Sequence, residues 1–173
     1  MSKLEELIGE LSPDGVPFKT IKEICTIQKG TQLNKDSLKD EGTYPVINGG
    51  INPSGYWEEY NFEANLITIS QGGASAGYVN FLTTPFWAGA HCYVISKCDK
   101  SVYYGYLYHF VKMQQTTFMQ SQYGAGIPSL SLKTINEIKI PVPPLSVQIE
   151  IVRILDNFTE LTAELTAELT ARR

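Results

Sequence analysis

The feature that most constrains this fold is an apolar seam near the C-terminus. Apolar residues, with one threonine among them, recur at intervals of four and three residues at Ile151, Leu155, Phe158, Thr162, Leu165 and Leu169. This heptad spacing places all six side chains on one face of a helix. Two prolines, Pro143 and Pro144, break the chain before it, because proline fixes φ and donates no backbone hydrogen bond. The sequence therefore predicts a domain over 1–144 and a helix over 145–173.

The same helix carries a tandem repeat, TAEL, at 162–165 and again at 166–169. A four-residue unit turns about 400° and rises about 6 Å on a helix of 3.6 residues per turn, so added units would change both distance and phase. The chain stops shortly afterwards without a helix stop signal, which predicts a helix that is cut rather than finished. A helix that only closes the domain would also fit this pattern.

This apolar helix face is attached to a single domain, so it needs a second apolar helix face to pack against. A homodimer through the C-terminal helix is therefore expected. The residues expected at this assembly face are Ile151, Leu155, Phe158, Leu161, Leu165 and Leu169.

The first 144 residues read as short strands and small helices. Strands are expected at 44–47, 65–70, 76–81, 90–96 and 138–142, separated by glycine-rich loops. Helical spacing of apolar residues predicts a helix over 102–119 and weaker ones over 1–10 and 132–138. The expected fold class is α+β: a compact, curled, mostly antiparallel sheet domain with small helices, followed by a long C-terminal coiled-coil-type helix.

Composition limits the function. The net charge of −4 is unfavourable for a protein that would grip DNA phosphates unaided. The three cysteines lack the CxxC spacing of a zinc site and are expected to be reduced thiols. No secretory signal or membrane-spanning run is present, which favours the cytoplasm.

No catalytic motif stands out. His91 and Cys92 could suggest a nucleophile pair, but neighbours in a strand point to opposite faces. His109 lies in the aromatic helix with no carboxylate at metal-ligand spacing. We expect neither a metal nor a cofactor. An enzyme that uses His91 or Cys92 is the less favoured hypothesis.

Several long segments, taken together, resemble a known family. They are TYPVINGGINPSGY (43–56), ITISQGGASAGYVNF (67–81), PFWAGAHCYVI (85–95), YGAGIPSLS (123–131) and IPVPPLSVQIEIVRILDNF (140–158). They occur in the order seen in specificity (S) subunits of type I restriction–modification systems. The TAEL repeat is similar to the spacer that separates two recognition domains in some of these subunits.

The resemblance implies a function without catalysis. A chain of this kind would read a short half-site of double-stranded DNA and position methyltransferase (M) subunits that methylate adenine, while restriction (R) subunits add cleavage. A full S subunit holds two recognition domains and two long helices, so this chain resembles half of one.

Candidate DNA-contacting residues lie in and beside the glycine loops and in the polar stretch KGTQLNK (29–35). Asparagine and glutamine pair with adenine edges, and lysines and small residues suit phosphates. Each glycine loop is also explained as a turn that needs a positive φ. The polar stretch 29–35 is also explained as an ordinary solvated surface loop. A small-ligand or glycan-binding β domain is the alternative. The residues expected to contact DNA are Lys29, Thr31, Gln32, Asn34, Lys35, Asn48, Ser54, Tyr56, Ser70, Gln71, Ser75, Tyr78, Gln122 and Tyr123.

Overall fold

The computed structural model describes residues 2–123 and 128–172. The helices are α1 (Lys3–Leu11), α2 (Ile21–Ile24), α3 (Tyr104–Met113), α4 (Gln115–Gln120), α5 (Leu132–Asn136) and α6 (Leu145–Ala171). The strands are β1 (Phe18–Thr20), β2 (Cys25–Lys29), β3 (Tyr44–Ile47), β4 (Tyr56–Trp57), β5 (Leu66–Ser70), β6 (Val79–Leu82), β7 (Trp87–Ala88), β8 (Cys92–Cys98) and β9 (Lys139–Pro141). Within these ranges no helix is long and apolar enough to cross a bilayer.

A four-stranded antiparallel sheet in the order β2-β8-β5-β6 forms the middle layer. Successive side chains of a strand point to opposite faces, so each strand serves two cores. Ile67 and Ile69 of β5 belong to one apolar cluster, whereas Cys92 and Val94 of β8 belong to a second cluster on the other face. The central strands are thus buried on both sides, which explains their nearly continuous apolar sequence.

Helices cover the first face of this sheet. Leu107 and Val111 of α3, four residues apart, share one helix face and are both buried, as are Phe118 of α4 and Ile135 of α5. Burying one such side chain stabilises the fold by about 1.5–3 kcal/mol. The helices therefore close one core and leave the other face of the sheet to a third layer.

The third layer is a small sheet in the order β4-β3-β7. β3 pairs antiparallel with β4 and parallel with β7. Ile47 and Ala88, the last residues of β3 and β7, are buried with Phe86, and the Phe86 ring stacks on Phe62 with 5.8 Å between centroids. Because β3 and β7 are parallel, both end at the same edge of the layer.

The helix α6 is 27 residues long and is buried only at its start. The Gln148 side chain fixes that start: its Oε1 accepts from the Tyr103 N–H at 2.8 Å, and its Nε2 donates to the carbonyl oxygens of Ser101 and Pro143 at 2.8 and 2.7 Å. From Leu155 onward every described residue of the helix is exposed. The packed domain thus includes the first two turns of α6, and the rest extends as a free helix.

The predicted fold class is confirmed, with differences in detail. The helix expected over 102–119 is two helices that meet at Gln114, where the side chain of Gln115 accepts from the Val79 N–H at 3.0 Å and anchors the break. The strand expected from 76 begins at Val79, because 73–77 forms a turn with Gly73 and Gly77 at positive φ.

The expected single curled sheet is instead a central sheet with two small ones. The strand pairings are mostly antiparallel, and β3 with β7 is a parallel pair. No strand was predicted at β1, β2, β4 or β7. Strands of two or three residues show no detectable period, so only their pairing reveals them.

Candidate nucleic-acid interface and assembly helix

Several loops meet at one edge of the domain. β2 and β5 run antiparallel to β8, so their last residues meet its first residues. The Thr31 N–H, just after β2, donates to the carbonyl oxygen of Ala88 at 2.8 Å, and the Gly89 N–H donates to that of Ile47 at 2.9 Å. The ends of β2, β3, β5 and β7 are therefore neighbours. We call this edge the glycine rim; it comprises 29–35, 48–55, 71–78, 89–91, 122–123 and 128–129.

Backbone hydrogen bonds fix the rim. The Gln71 N–H donates to the carbonyl oxygen of His91 at 2.8 Å, and the Gly73 N–H donates to that of Pro128 at 2.9 Å. Ser129 bridges to both Gly72 and Tyr123. The rim is thus a connected surface whose shape is set by main-chain contacts. Residues 124–127, part of the predicted YGAG segment, lie outside the described residues.

The rim glycines serve two purposes. A Cβ on Gly30 would collide with the carbonyl groups of Ala88 and Gly89, and one on Gly77 would lie 2.8 Å from backbone atoms of Phe118 and Met119. These glycines permit close backbone packing. Gly73 is different, because it has a φ of +79° and no atom of residues 2–123 or 128–172 lies within 4 Å of where a Cβ would be. The described part of the chain therefore leaves this position uncovered.

The rim carries no carboxylate. Its segments contain two lysines, Lys29 and Lys35, and one histidine, but no Asp or Glu, although the chain has 18 acidic residues. Two carboxylates lie at the opposite edge, where Glu23 precedes β2 and Asp99 follows β8, together with Lys22 and Lys97. Hydrogen bonds from Thr20 and from Ser101 lower the pKa of Glu23 and of Asp99, respectively. The rim segments themselves contain cations and no carboxylate, which favours an anionic ligand there despite the net negative charge.

Half of the predicted DNA-contacting residues are exposed at the rim. Most of these lie in the polar loop after β2, where the Gln32 Nε2 donates to the Leu33 carbonyl oxygen at 2.8 Å. Tyr123 has 57% of its surface exposed. The exposed members are Lys29, Thr31, Gln32, Asn34, Lys35, Ser54 and Tyr123.

Three other predicted residues have polar groups engaged within the protein. Asn48 Oδ1 accepts from the His91 N–H at 3.3 Å, and the Gln122 Nε2 donates to the Ala76 carbonyl oxygen at 2.7 Å. Ser70 is buried and its hydroxyl donates to the carbonyl oxygen of Gly49. In this structure these side chains support the loops.

The remaining four are partly buried. Gln71 is unusual because its Oε1 is buried without a hydrogen-bond partner among the described residues. Tyr78 holds the ammonium group of Lys112 over its ring, 4.4 Å from the centroid, and burial lowers the pKa of Lys112. One ring face of Tyr78 is thus occupied by a cation. Ser75 and Tyr56 are half-buried, and Tyr56 lies in β4.

His91 is a rim residue that the sequence argument treated as structural. Its backbone is held by Gln71 and Asn48, while its side chain is exposed. Its position directly before β8, after the Gly89 turn, is the only signal in the sequence that would have suggested exposure.

The geometry disfavours a His91–Cys92 nucleophile. Cys92 is fully buried, and burial raises the pKa of its thiol to about 12. A buried thiol that keeps its proton is a poor nucleophile. In residues 2–123 and 128–172, no group of three or more His, Cys, Asp and Glu side chains is placed to hold a metal ion.

The assembly face of α6 is exposed and apolar. Leu161, Leu165 and Leu169 have 55%, 59% and 65% of their surfaces exposed, and Phe158 also has 65%. A cavity of about 750 Å³ lies along this helix, lined by His109 of α3 and by α6 residues between Leu155 and Ala167. The His109 Nε2 lies 2.9 Å from Asp156 Oδ1. This contact joins α3 to α6 at one end of the cavity.

The chain resembles known proteins over nearly its whole length. The family model of the type I restriction modification DNA specificity domain matches residues 13–172. A Mycoplasma pneumoniae protein named as a type I specificity subunit is 31% identical over 166 residues, covering 91% of this chain and 53% of that protein. A Haemophilus influenzae protein named as a type I restriction enzyme specificity subunit is 34% identical over 153 residues, covering 86% and 39%.

Solved structures of two S subunits have a similar fold. The S subunit of the type I restriction–modification system of Mycoplasma genitalium has a TM-score of 0.77 at 26% identity, covering 88% of this chain and 41% of that one. The HsdS subunit from Thermoanaerobacter tengcongensis has a TM-score of 0.71 at 18% identity, covering 95% and 44%, and shows the fold alone. The chain spans about half the length, or less, of these relatives.

Proposed function

The chain belongs to the family of type I restriction–modification DNA specificity domains, and from that premise we propose that it reads a short half-site of double-stranded DNA through the glycine rim. The observation that carries this proposal is the rim itself: a connected edge of loops with exposed donors and acceptors, two lysines and no carboxylate. A surface of that kind suits both phosphates and base edges.

The polar loop after β2 is the proposed reading element. Lys29 and Lys35 flank it and would contact phosphates, whereas Gln32 and Asn34 carry the amides that pair with adenine. The Gly73 N–H is used within the rim, so loop 71–78 would bring its main chain near a phosphate there without donating from Gly73, at a place where no side chain of the described residues intervenes. Asn48, Ser70 and Gln122 would then act indirectly, by holding the loops in position.

Partners complete the proposed activity. A net charge of −4 with few rim cations implies weak affinity for DNA on its own, so much of the phosphate grip would come from M subunits. The chain would direct their adenine methylation, with R subunits adding cleavage, and it would work where DNA lies, in the cytoplasm. The reacting groups would belong to those subunits.

The exposed face of α6 is the proposed assembly surface. Leu161, Leu165 and Leu169 leave a leucine row uncovered along a helix that extends beyond the domain. A second copy packed antiparallel would bury that row and place two rims at the ends of a two-fold dimer. The dimer would read an inverted pair of half-sites.

Salt-dependent binding tests the DNA proposal. The full chain, assembled with the M subunits of its system, is titrated with a pool of random duplexes at several salt concentrations. Replacing Lys29 and Lys35 by glutamine should reduce the slope of log affinity against log salt by about 0.9 for each lost phosphate contact.

Lys97→Gln is the matched control, because Lys97 is an exposed lysine near the end of β8, at the opposite edge. It should leave the slope unchanged. Binding without salt dependence, or an equal effect of Lys97→Gln, would refute the rim as the DNA surface. The alternative of a small-ligand or glycan-binding β domain predicts no salt-dependent affinity for DNA.

A further inference from the structure

We propose that Cys25 and Cys98 form a reversible dithiol–disulfide site, at the edge of the domain opposite the glycine rim. The two residues are direct partners across β2 and β8, and their sulfur atoms lie 2.9 Å apart. This site is independent of the proposed DNA function.

The backbone pairing suits a cross-strand disulfide. The Asp99 N–H donates to the carbonyl oxygen of Ile24 at 2.7 Å, so the bond lies beside the Cys25–Cys98 pair. That arrangement makes the two cysteines a non-hydrogen-bonded pair, the class in which Cα atoms are about 4.5 Å apart and side chains lie closer. Disulfides span Cα separations of about 4.4–6.8 Å, so little backbone movement is needed.

The pair is accessible. β2 is an edge strand of the central sheet, and both thiols are only half-buried. They open into a surface cavity of about 290 Å³ lined by residues 22–26 and 97–99. Cys92, the third cysteine, is fully buried on the other face of β8 and provides an internal control.

The 2.9 Å contact lets either thiol donate a hydrogen bond to the other. The thiolate is the nucleophile in thiol–disulfide exchange, and a neighbouring S–H stabilises it. Either cysteine can therefore attack first, and the other then resolves the mixed disulfide.

The oxidant is a low-molecular-weight disulfide, RSSR. The thiolate of one of the two cysteines attacks one sulfur of RSSR, forming a mixed disulfide and releasing one RS⁻. The other cysteine then loses its proton to solvent and attacks the protein sulfur of the mixed disulfide, which releases the second RS⁻. Two protein thiols are oxidised to one disulfide, and RSSR is reduced to two thiols.

The bond would fasten an edge strand that is held from one side only. β2 leads from Cys25 directly into the polar loop of the rim. Joining its first residue to β8 prevents the strand from separating at that end, so hydrogen exchange of the β2 amides should become slower in the oxidised chain.

Oxidised glutathione is the probe. The full chain is incubated with it, the remaining thiols are alkylated, and intact mass and linked peptides are measured. The expected product has lost two hydrogen atoms, retains no glutathione, carries one alkyl group on Cys92 after denaturation, and yields a linked peptide pair containing Cys25 and Cys98. Reduced glutathione should reverse it.

Two variants sharpen the result. Cys25→Ser should stop the reaction at a glutathione adduct on Cys98, Cys98→Ser should stop it at an adduct on Cys25, and neither variant should form the linked peptide pair. Three alkylated cysteines in the wild-type chain after incubation, or glutathione retained on Cys25 and Cys98 without a linked peptide, would overturn the proposal.

Discussion

The main-chain carbonyl oxygen of His91 accepts a hydrogen bond of 2.8 Å from the N–H of Gln71. This contact joins the loop after β5 to the turn before β8, and Asn48 Oδ1 holds the His91 N–H from a third loop. The His91 side chain remains exposed. The rim thus combines a rigid backbone with free side chains, as a surface that reads another molecule requires.

Replacing His91 by alanine is expected to weaken DNA binding without weakening the fold. Loss of one base or phosphate contact should lower affinity about tenfold, whereas an exposed substitution should change the free energy of unfolding by less than about 0.5 kcal/mol. Affinity is measured on the assembled complex and stability by urea unfolding. Lys97→Ala, an exposed substitution at the opposite edge, should leave affinity unchanged; equal losses would contradict the rim assignment.

Replacing Gly30 by alanine is expected to destabilise the domain. The carbonyl groups of Ala88 and Gly89 occupy the space of the new methyl group, so the free energy of unfolding should fall by about 1–3 kcal/mol. Gly9→Ala in the exposed face of α1 meets open space and should raise it by up to about 1 kcal/mol. Chemical unfolding of both variants measures these changes in the free energy of unfolding, which should have opposite signs. A Gly30→Ala variant as stable as the wild-type chain would disprove the close packing at Gly30.

The sequence predicts the long elements well, for a physical reason. The heptad spacing identifies α6, and β3 occupies the predicted 44–47. Both patterns arise from burial of a regular face. The break at Gln114 was missed because it depends on Gln115 binding the backbone of Val79, 36 residues away in the sequence. A hydrogen bond between residues that are distant in the sequence leaves no periodic pattern in the local sequence from which it could be predicted.

The rim was predicted in part. The stretch KGTQLNK is exposed there, because a polar loop between strands has nowhere else to lie. Asn48 and Ser70 have the same polar character, but other loops occupy their polar groups. Such pairing across loops follows from topology, and a sequence reading of residue types alone misses it.

Acid should weaken the attachment of α1 to α6. The buried carboxylate of Glu150 lies 2.7 Å from Arg153 and 3.0 Å from Lys3, and these cations hold the pKa of Glu150 at about 2, below its ordinary value of 4.5. The stabilisation is present above the ordinary carboxyl range and is lost as pH falls towards 2.

Glu150→Gln removes the charge while retaining the shape. The thermal midpoint of the wild-type chain should exceed that of the variant by a constant amount at neutral pH, and the difference should shrink on acidification. A difference that grows below pH 4.5 would contradict this ion-pair account.

Leu165→Glu is expected to disrupt the proposed dimer. The side chain is 59% exposed in the single chain, so the domain should stay folded while a charge enters the buried seam. Sedimentation should show the molar mass falling by about half. Glu160→Gln, away from the leucine row, should leave the mass unchanged, and a dimer that survives Leu165→Glu would exclude this seam.

Recognition of DNA by the glycine rim can be tested by mapping methylated adenines in cells that express this chain with its M subunits. We expect methylation at a two-part motif whose halves are inverted copies, and a relaxed or altered half-site when Gln32 and Asn34 are replaced by alanine. No methylated motif, or a motif that these replacements leave unchanged, would contradict recognition of DNA by the glycine rim.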